Sequence, residues 1–204
     1  MTVENLCSDF IALVDGIFGT YLDATVGFQN QALWLEAEQK KMLKELSIND
    51  PINANIQYLD ERIIGYNDKP PDQGEQIKHL RTQGEFKQQN RFGGNNHILL
   101  GNLCLVAIYQ HWEDHYREKI AIALGKKKNE LISDIFGDIR HLRRSIIHNS
   151  GRAINEVKTC RIINWFQPDQ TIALNQEQFE FIVRHTTAYV RSLASLESTP
   201  QAKA

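Results

Sequence analysis

The sequence predicts an all-α protein: a bundle of about five helices with one long polar insertion and room for a small β-hairpin before the last helix. Two observations carry this expectation. Apolar residues recur at three- and four-residue steps through four long segments. Runs that could form strands are confined to one short region near the C-terminus. A chain of 204 residues can bury one sizeable core, so a single domain over 1–197 is expected, followed by a disordered tail at 198–204.

The first helix is expected over 3–47, where Phe10, Leu13, Ile17 and Tyr21 share a face and no proline intervenes. "NDP" at 49–51 makes a turn, and a short helix follows around 52–64. Residues 65–96 are polar, hold Pro70 and Pro71, and lack sustained periodicity, which reads as a long surface excursion or a substrate-contacting flap. Helix resumes over 97–124 with the stripe Leu105, Tyr109, Trp112, Tyr116, Ile120 and Leu124. "GKKKN" breaks it, and another helix is expected over 129–149. "CRIINWF" and "TIAL" are the candidate hairpin strands. Asn175 and Gln178 form an Asn-x-x-Gln capping box for the last helix, 176–196.

Composition narrows the function classes. The net charge of −2 gives no global basic field, so any nucleic-acid contact must use a local patch. Three separated cysteines with no CxxC pair argue against a disulfide framework and a zinc site, and for a reducing compartment. The opening "MTVENLCSDF" lacks a basic-then-apolar run, and "HILLGNLCLVAIY" is too short to span a bilayer. A cytoplasmic protein with no membrane role is the expectation.

One side chain sits where periodicity does not want it. Winding 129–149 at about 100° per residue from Ile146 puts Leu131, Ile135, Ile139 and Leu142 within about 60°. Ile132, Phe136 and Ile147 widen that apolar arc, with Asp138 and His141 outside it. Arg143 falls at about 60°, inside the arc. A guanidinium keeps its proton, so burying it calls for a carboxylate or phosphate. Glu113 falls inside an apolar sector of the preceding helix, so an Arg143–Glu113 structural pair is one reading. His148 in the last turn, before the Asn149-Ser150-Gly151 stop, points further, because helix-end carbonyls favour a cation. Arg143, Arg144, His148 and Arg152 fall within ten residues containing no acid, a patch suited to an anion.

The stretch "LRRSIIHNSG" resembles the HEPN domains, whose signature is an arginine followed after four to six residues by a histidine. Arg143 and His148 match with four residues between, Asn149 after the histidine fits the pattern, and Arg144 departs from the usual polar residue. "WEDHYREKI" is similar in style to the penultimate helix of several such families, so the recognisable part covers about residues 97–151. A second Arg-to-His match, Arg91 to His97, straddles Gly93-Gly94 with no helix to hold it. The resemblance implies an all-helical bundle and a metal-independent endoribonuclease without cofactor, in which the RNA 2′-OH attacks the adjacent phosphorus. That chemistry needs a proton acceptor, a proton donor and a cation for the developing charge. It implies His148 as general acid/base, Arg143 as phosphate clamp and Glu113 as its orienting partner. Arg144, Asn149 and Arg152 would be auxiliary RNA phosphate contacts. It also implies a homodimer, consistent with each chain supplying a single His148, which diverges from Arg143 by about 140° on its helix. A toxin or defence role held in check by an antitoxin such as a nucleotidyltransferase would follow.

Other signals carry less. His111 and His115 have metal-ligand spacing, but Trp112 replaces the zincin glutamate and no third ligand is evident. A metal hydrolase or deaminase built on them should bind zinc. "FGGNN" is neither a P-loop nor a dinucleotide fingerprint, and "KKK" at 126–128 reads as a solvated turn. The competing reading is a non-catalytic helical interaction module in which Arg143–Glu113 is structural.

Overall fold

The computed structural model describes residues 1–67 and 77–197; the expected disordered tail lies outside them. The protein is all-α in character, with one two-stranded sheet among the described residues. In chain order it comprises α1 (Val3–Asn49), α2 (Ile56–Glu61), β1 (Ile63–Asn67), β2 (Ile77–Thr82), α3 (Gln83–Asn90) and α4 (Asn95–His111). A π-helical turn (Trp112–Tyr116), α5 (Arg117–Ala123), α6 (Asp134–His148) and α7 (Gln176–Glu197) follow, with 3₁₀ turns at Lys128–Glu130 and Asn155–Thr159. Where the sequence predicts one domain over 1–197, the contacts fall into two compact units. One is Met1–Leu22 with the chain from Ile98 onward, and the other is Asp23–His97.

The first unit holds the main core. Leu6, Phe10, Val14 and Tyr21 of α1 meet Leu105, Ile108 and Trp112, then Ile139 and Leu142 of α6, and Phe179 and Ile182 of α7. Trp112 stacks on Phe136 with ring centroids 4.1 Å apart, and Phe10 lies within 5.6 Å of Trp112 and 5.1 Å of Tyr116. Both Trp112 and Tyr116 lie in the π-helical turn, which is one residue wider than an α-turn. Such pairs add about 0.5–1.5 kcal/mol each beyond buried area. By length and composition α1 could cross a membrane, and its buried face here is part of the bundle core.

Residues 151–174 do not form the expected hairpin. Instead, Gly151 and Ala153 pair with residues 169–172, with one bridge between Arg152 and Thr171. The cause is Asp138. Its buried carboxylate accepts the N–H groups of Arg161 (3.0 and 3.1 Å), Ile162 (2.6 Å) and Ile163 (2.8 Å), which removes them from any strand ladder. Asn102 Nδ2 donates to the Ile172 carbonyl at 2.9 Å, so Ile163, Ile172 and Leu174 are held buried in coil.

In the second unit the hairpin lies within the polar segment. β1 and β2 pair antiparallel, Ile64 opposite Arg81 and Tyr66 opposite His79. Thr82 and Glu85 form a capping box that starts α3, so 77–90 is ordered structure rather than an excursion. Buried Gln39 ties the unit together: its amide donates to Asp60 (2.9 Å) and Gln83 (3.0 Å) and accepts from Lys87 (2.8 Å), which also pairs with Asp60. Gly94 closes the turn before α4, where a Cβ would sit 2.5 Å from two backbone carbonyl oxygens.

Candidate functional site at the end of the sixth helix

α6 is capped by Ser133, whose hydroxyl accepts the Phe136 N–H (3.4 Å). It stops where Ser150 and Gly151 turn left-handed, at φ 52° and 77°. The N–H groups of Asn149 and Gly151 both donate to the Ser145 carbonyl, at 3.2 and 3.1 Å. The buried Ser145 hydroxyl donates to the His141 carbonyl (2.8 Å) and accepts from the Ile154 N–H (3.1 Å). This pins the helix end to the loop that follows. His148, one turn beyond Arg144, is exposed and bonds to no other side chain among the described residues.

Arg143 is half-buried against α4. Its guanidinium lies over the Tyr109 ring at 5.7 Å, and one terminal nitrogen donates to Gln110 Oε1 at 3.1 Å. Gln110 in turn donates to Asp114. The buried Nε of Arg143 finds no partner, and no carboxylate among the described residues reaches the group. The expected Arg143–Glu113 contact is absent. Glu113 instead pairs with Arg117 at 2.9 Å, one turn along, and with Lys128 at 3.0 Å, so two nearer cations claim it.

The apolar arc is also placed differently. α6 begins only at Asp134, which leaves Ile132 in coil and 78% exposed, while Ile147 is 45% exposed. The buried sector therefore shifts toward Asp138 and Ser145, and Arg143 sits at its rim instead of inside it.

The auxiliary residues are engaged elsewhere. Arg144 pairs with Glu156 at 3.0 Å, an acid brought back by the 3₁₀ turn, so the basic patch is not free of acids in space. Asn149 Nδ2 donates to the Arg152 carbonyl (2.9 Å), closing the turn. Arg152 reaches the Asp169 carbonyl. Winding the helix puts His141 outside the apolar arc, yet the structure half-buries it. Burial, then the charges of Arg140 and Arg144, push its imidazole below the ordinary value, and its buried Nδ1 has no partner. Among the described residues no three His, Cys, Asp or Glu side chains converge as metal ligands, and His111 and His115 gain no third member.

Burial raises the Glu113 carboxyl, but hydrogen bonds from Lys128 and Arg117 outweigh it and hold the group below its ordinary 4.5. A carboxyl depressed by folding stabilises the fold above that ordinary value, and the contribution is lost as pH falls through the lower folded value. Wild-type melting temperatures measured downward from about pH 6 should therefore drop more steeply below about 4.5 than those of Glu113→Gln. Parallel curves would contradict the assignment.

No family model, curated protein or solved structure matches the chain.

Proposed function

We propose that the chain is a metal-independent endoribonuclease of the HEPN type acting as a homodimer, with His148 as general acid/base and Arg143 as phosphate clamp. One observation carries the reading. A half-buried guanidinium whose partners are an amide and an aromatic ring keeps its full charge for an anion. The structural alternative needs Glu113 as counter-ion, and Glu113 is held by Arg117 and Lys128.

The RNA 2′-OH gives its proton to a histidine and attacks phosphorus. The bond to the 5′ oxygen breaks, that oxygen takes a proton from a second histidine, and a 2′,3′-cyclic phosphate remains. Arg143 stabilises the developing charge on the non-bridging oxygens. Arg143 and His148 diverge on one helix by about 140° and 7.5 Å of rise, so a twofold-related copy completes the pair of imidazoles. Ile147, exposed beside His148, suits a face covered by that copy. A partner protein such as a nucleotidyltransferase, acting as antitoxin, completes the proposal.

Purified protein incubated with total RNA in EDTA should yield fragments ending in 2′,3′-cyclic phosphate, with a rate that rises more than linearly at low protein concentration. Intact RNA at every concentration rejects the reading.

A further inference from the structure

We propose that the cavity walled by the end of α4, the π-helical turn, Arg117 of α5 and the first turns of α6 binds a single planar nucleobase with adjacent N–H donors, guanine above all, from the nucleotide whose phosphate rests on Arg143. The proposal builds on the nuclease reading and adds a base preference to it. The cavity encloses about 170 Å³ and is lined by Tyr109, Glu113, Arg117, Gly137 and Arg140, with the Trp112–Phe136 stack beneath. That is somewhat more than the roughly 150 Å³ that holds benzene and well below the room a drug-sized ligand needs, so a single base is the largest group the cavity suits.

Three features select the occupant. Tyr109 belongs to the wall and also carries the Arg143 guanidinium over its ring, so the cavity opens beside the phosphate group. The Glu113 carboxylate has one cation on each oxygen, Lys128 on Oε1 and Arg117 on Oε2. Each oxygen keeps a second lone pair, and the two together match the paired N1–H and N2–H₂ donors of guanine. Uracil offers no such pair.

Gly137 is the third feature. Glycine is a poor helix former, yet it occupies the interior of α6, where an added Cβ would meet nothing within 4 Å. Gly16, Gly19 and Gly27 of α1 are equally open, so openness alone assigns nothing. Gly137 differs in forming the wall of a cavity, where a bare backbone lets a flat ring approach.

The test is calorimetric titration of the full chain with the 3′-monophosphates of guanosine, adenosine, cytidine and uridine, alongside cut-site mapping on RNA of random sequence. Guanosine 3′-monophosphate should bind about tenfold or more tightly than the uridine and cytidine compounds, and cuts should cluster at guanine. Gly137→Leu fills the cavity from the open helix face. It should erase the preference and still melt at or above the wild-type temperature, because leucine favours the helix. Arg143→Ala should weaken all four nucleotides alike. Equal binding of all four, no binding of any, or a preference that survives Gly137→Leu overturns the base site. RNA cleavage without base preference rejects the cavity assignment alone, and guanine-selective binding without cleavage rejects the nuclease alone.

Discussion

Asp138→Ala is expected to cost about 3 kcal/mol or more of folding stability, among the largest effects of any single substitution here. The carboxylate is 3% exposed and accepts from three consecutive backbone N–H groups, those of Arg161, Ile162 and Ile163. Removing it leaves the buried Ile163 N–H with nothing to receive it, at about 1–3 kcal/mol, and strips the partly buried Arg161 and Ile162 N–H groups of the same acceptor. Against a total of about 5–15 kcal/mol for a domain, that is a large share. Asp138→Asn keeps one acceptor oxygen and should therefore lose less than the alanine variant, while still giving up the second oxygen and the charge. Urea titration reads both. A loss below about 1 kcal/mol for the alanine variant would mean that the loop has other anchors. The same carboxylate, after burial, pushes the Cys160 thiol up to about 12, so that thiol is protonated and slow to react.

His148→Ala and Arg143→Ala should each remove RNA cleavage, for separable reasons. Loss of the acid/base group is expected to lower kcat by about 10²–10⁴. Loss of the clamp should lower it by about 10²–10³. Arg143→Lys should recover only part, because an ammonium cannot present the planar fork that grips two phosphate oxygens. His148 is exposed and makes no side-chain hydrogen bond among the described residues, so its alanine variant should stay within about 0.5 kcal/mol of wild-type stability. Activity lost at unchanged stability is the signature to look for. Cleavage retained by both alanine variants would rule out this helix end as the reacting site.

How far the sequence could reach depended on range. The capping box at Asn175 and Gln178 is a four-residue pattern, and both of its hydrogen bonds are present. The one at Thr82 and Glu85 was equally readable, but it lay in a polar stretch whose composition suggested no ordered structure. Of the stripe that periodicity predicts over 97–124, Leu105, Tyr109, Trp112 and Ile120 are buried and Tyr116 and Leu124 partly so, but the repeat gave no sign of the π-helical turn that interrupts the helix. It misplaced Arg143 by one sector, because the start of α6 at Ser133 is set by a cap and Ile132 was wound into a helix that does not include it. Asp138 could not be found at all: its donors arrive from residues 23 to 25 positions later. Lys128 as a partner of Glu113 and Glu156 as the partner of Arg144 were hidden for the same reason, since both come from separate turns, whereas Arg117 lies only four residues after Glu113 and was legible as a one-turn pair.

The hydroxyl of Ser145 pins the backbone of the last turn, yet no side chain among the described residues bonds to the exposed imidazole three residues on. An exposed side chain without such a bond keeps most of its rotamer freedom. Whatever settles it, whether an incoming nucleic acid or a second subunit, must overcome roughly 1 kcal/mol of lost side-chain freedom. Affinity at this site should thus increase if the ring is propped from outside, before any chemistry begins.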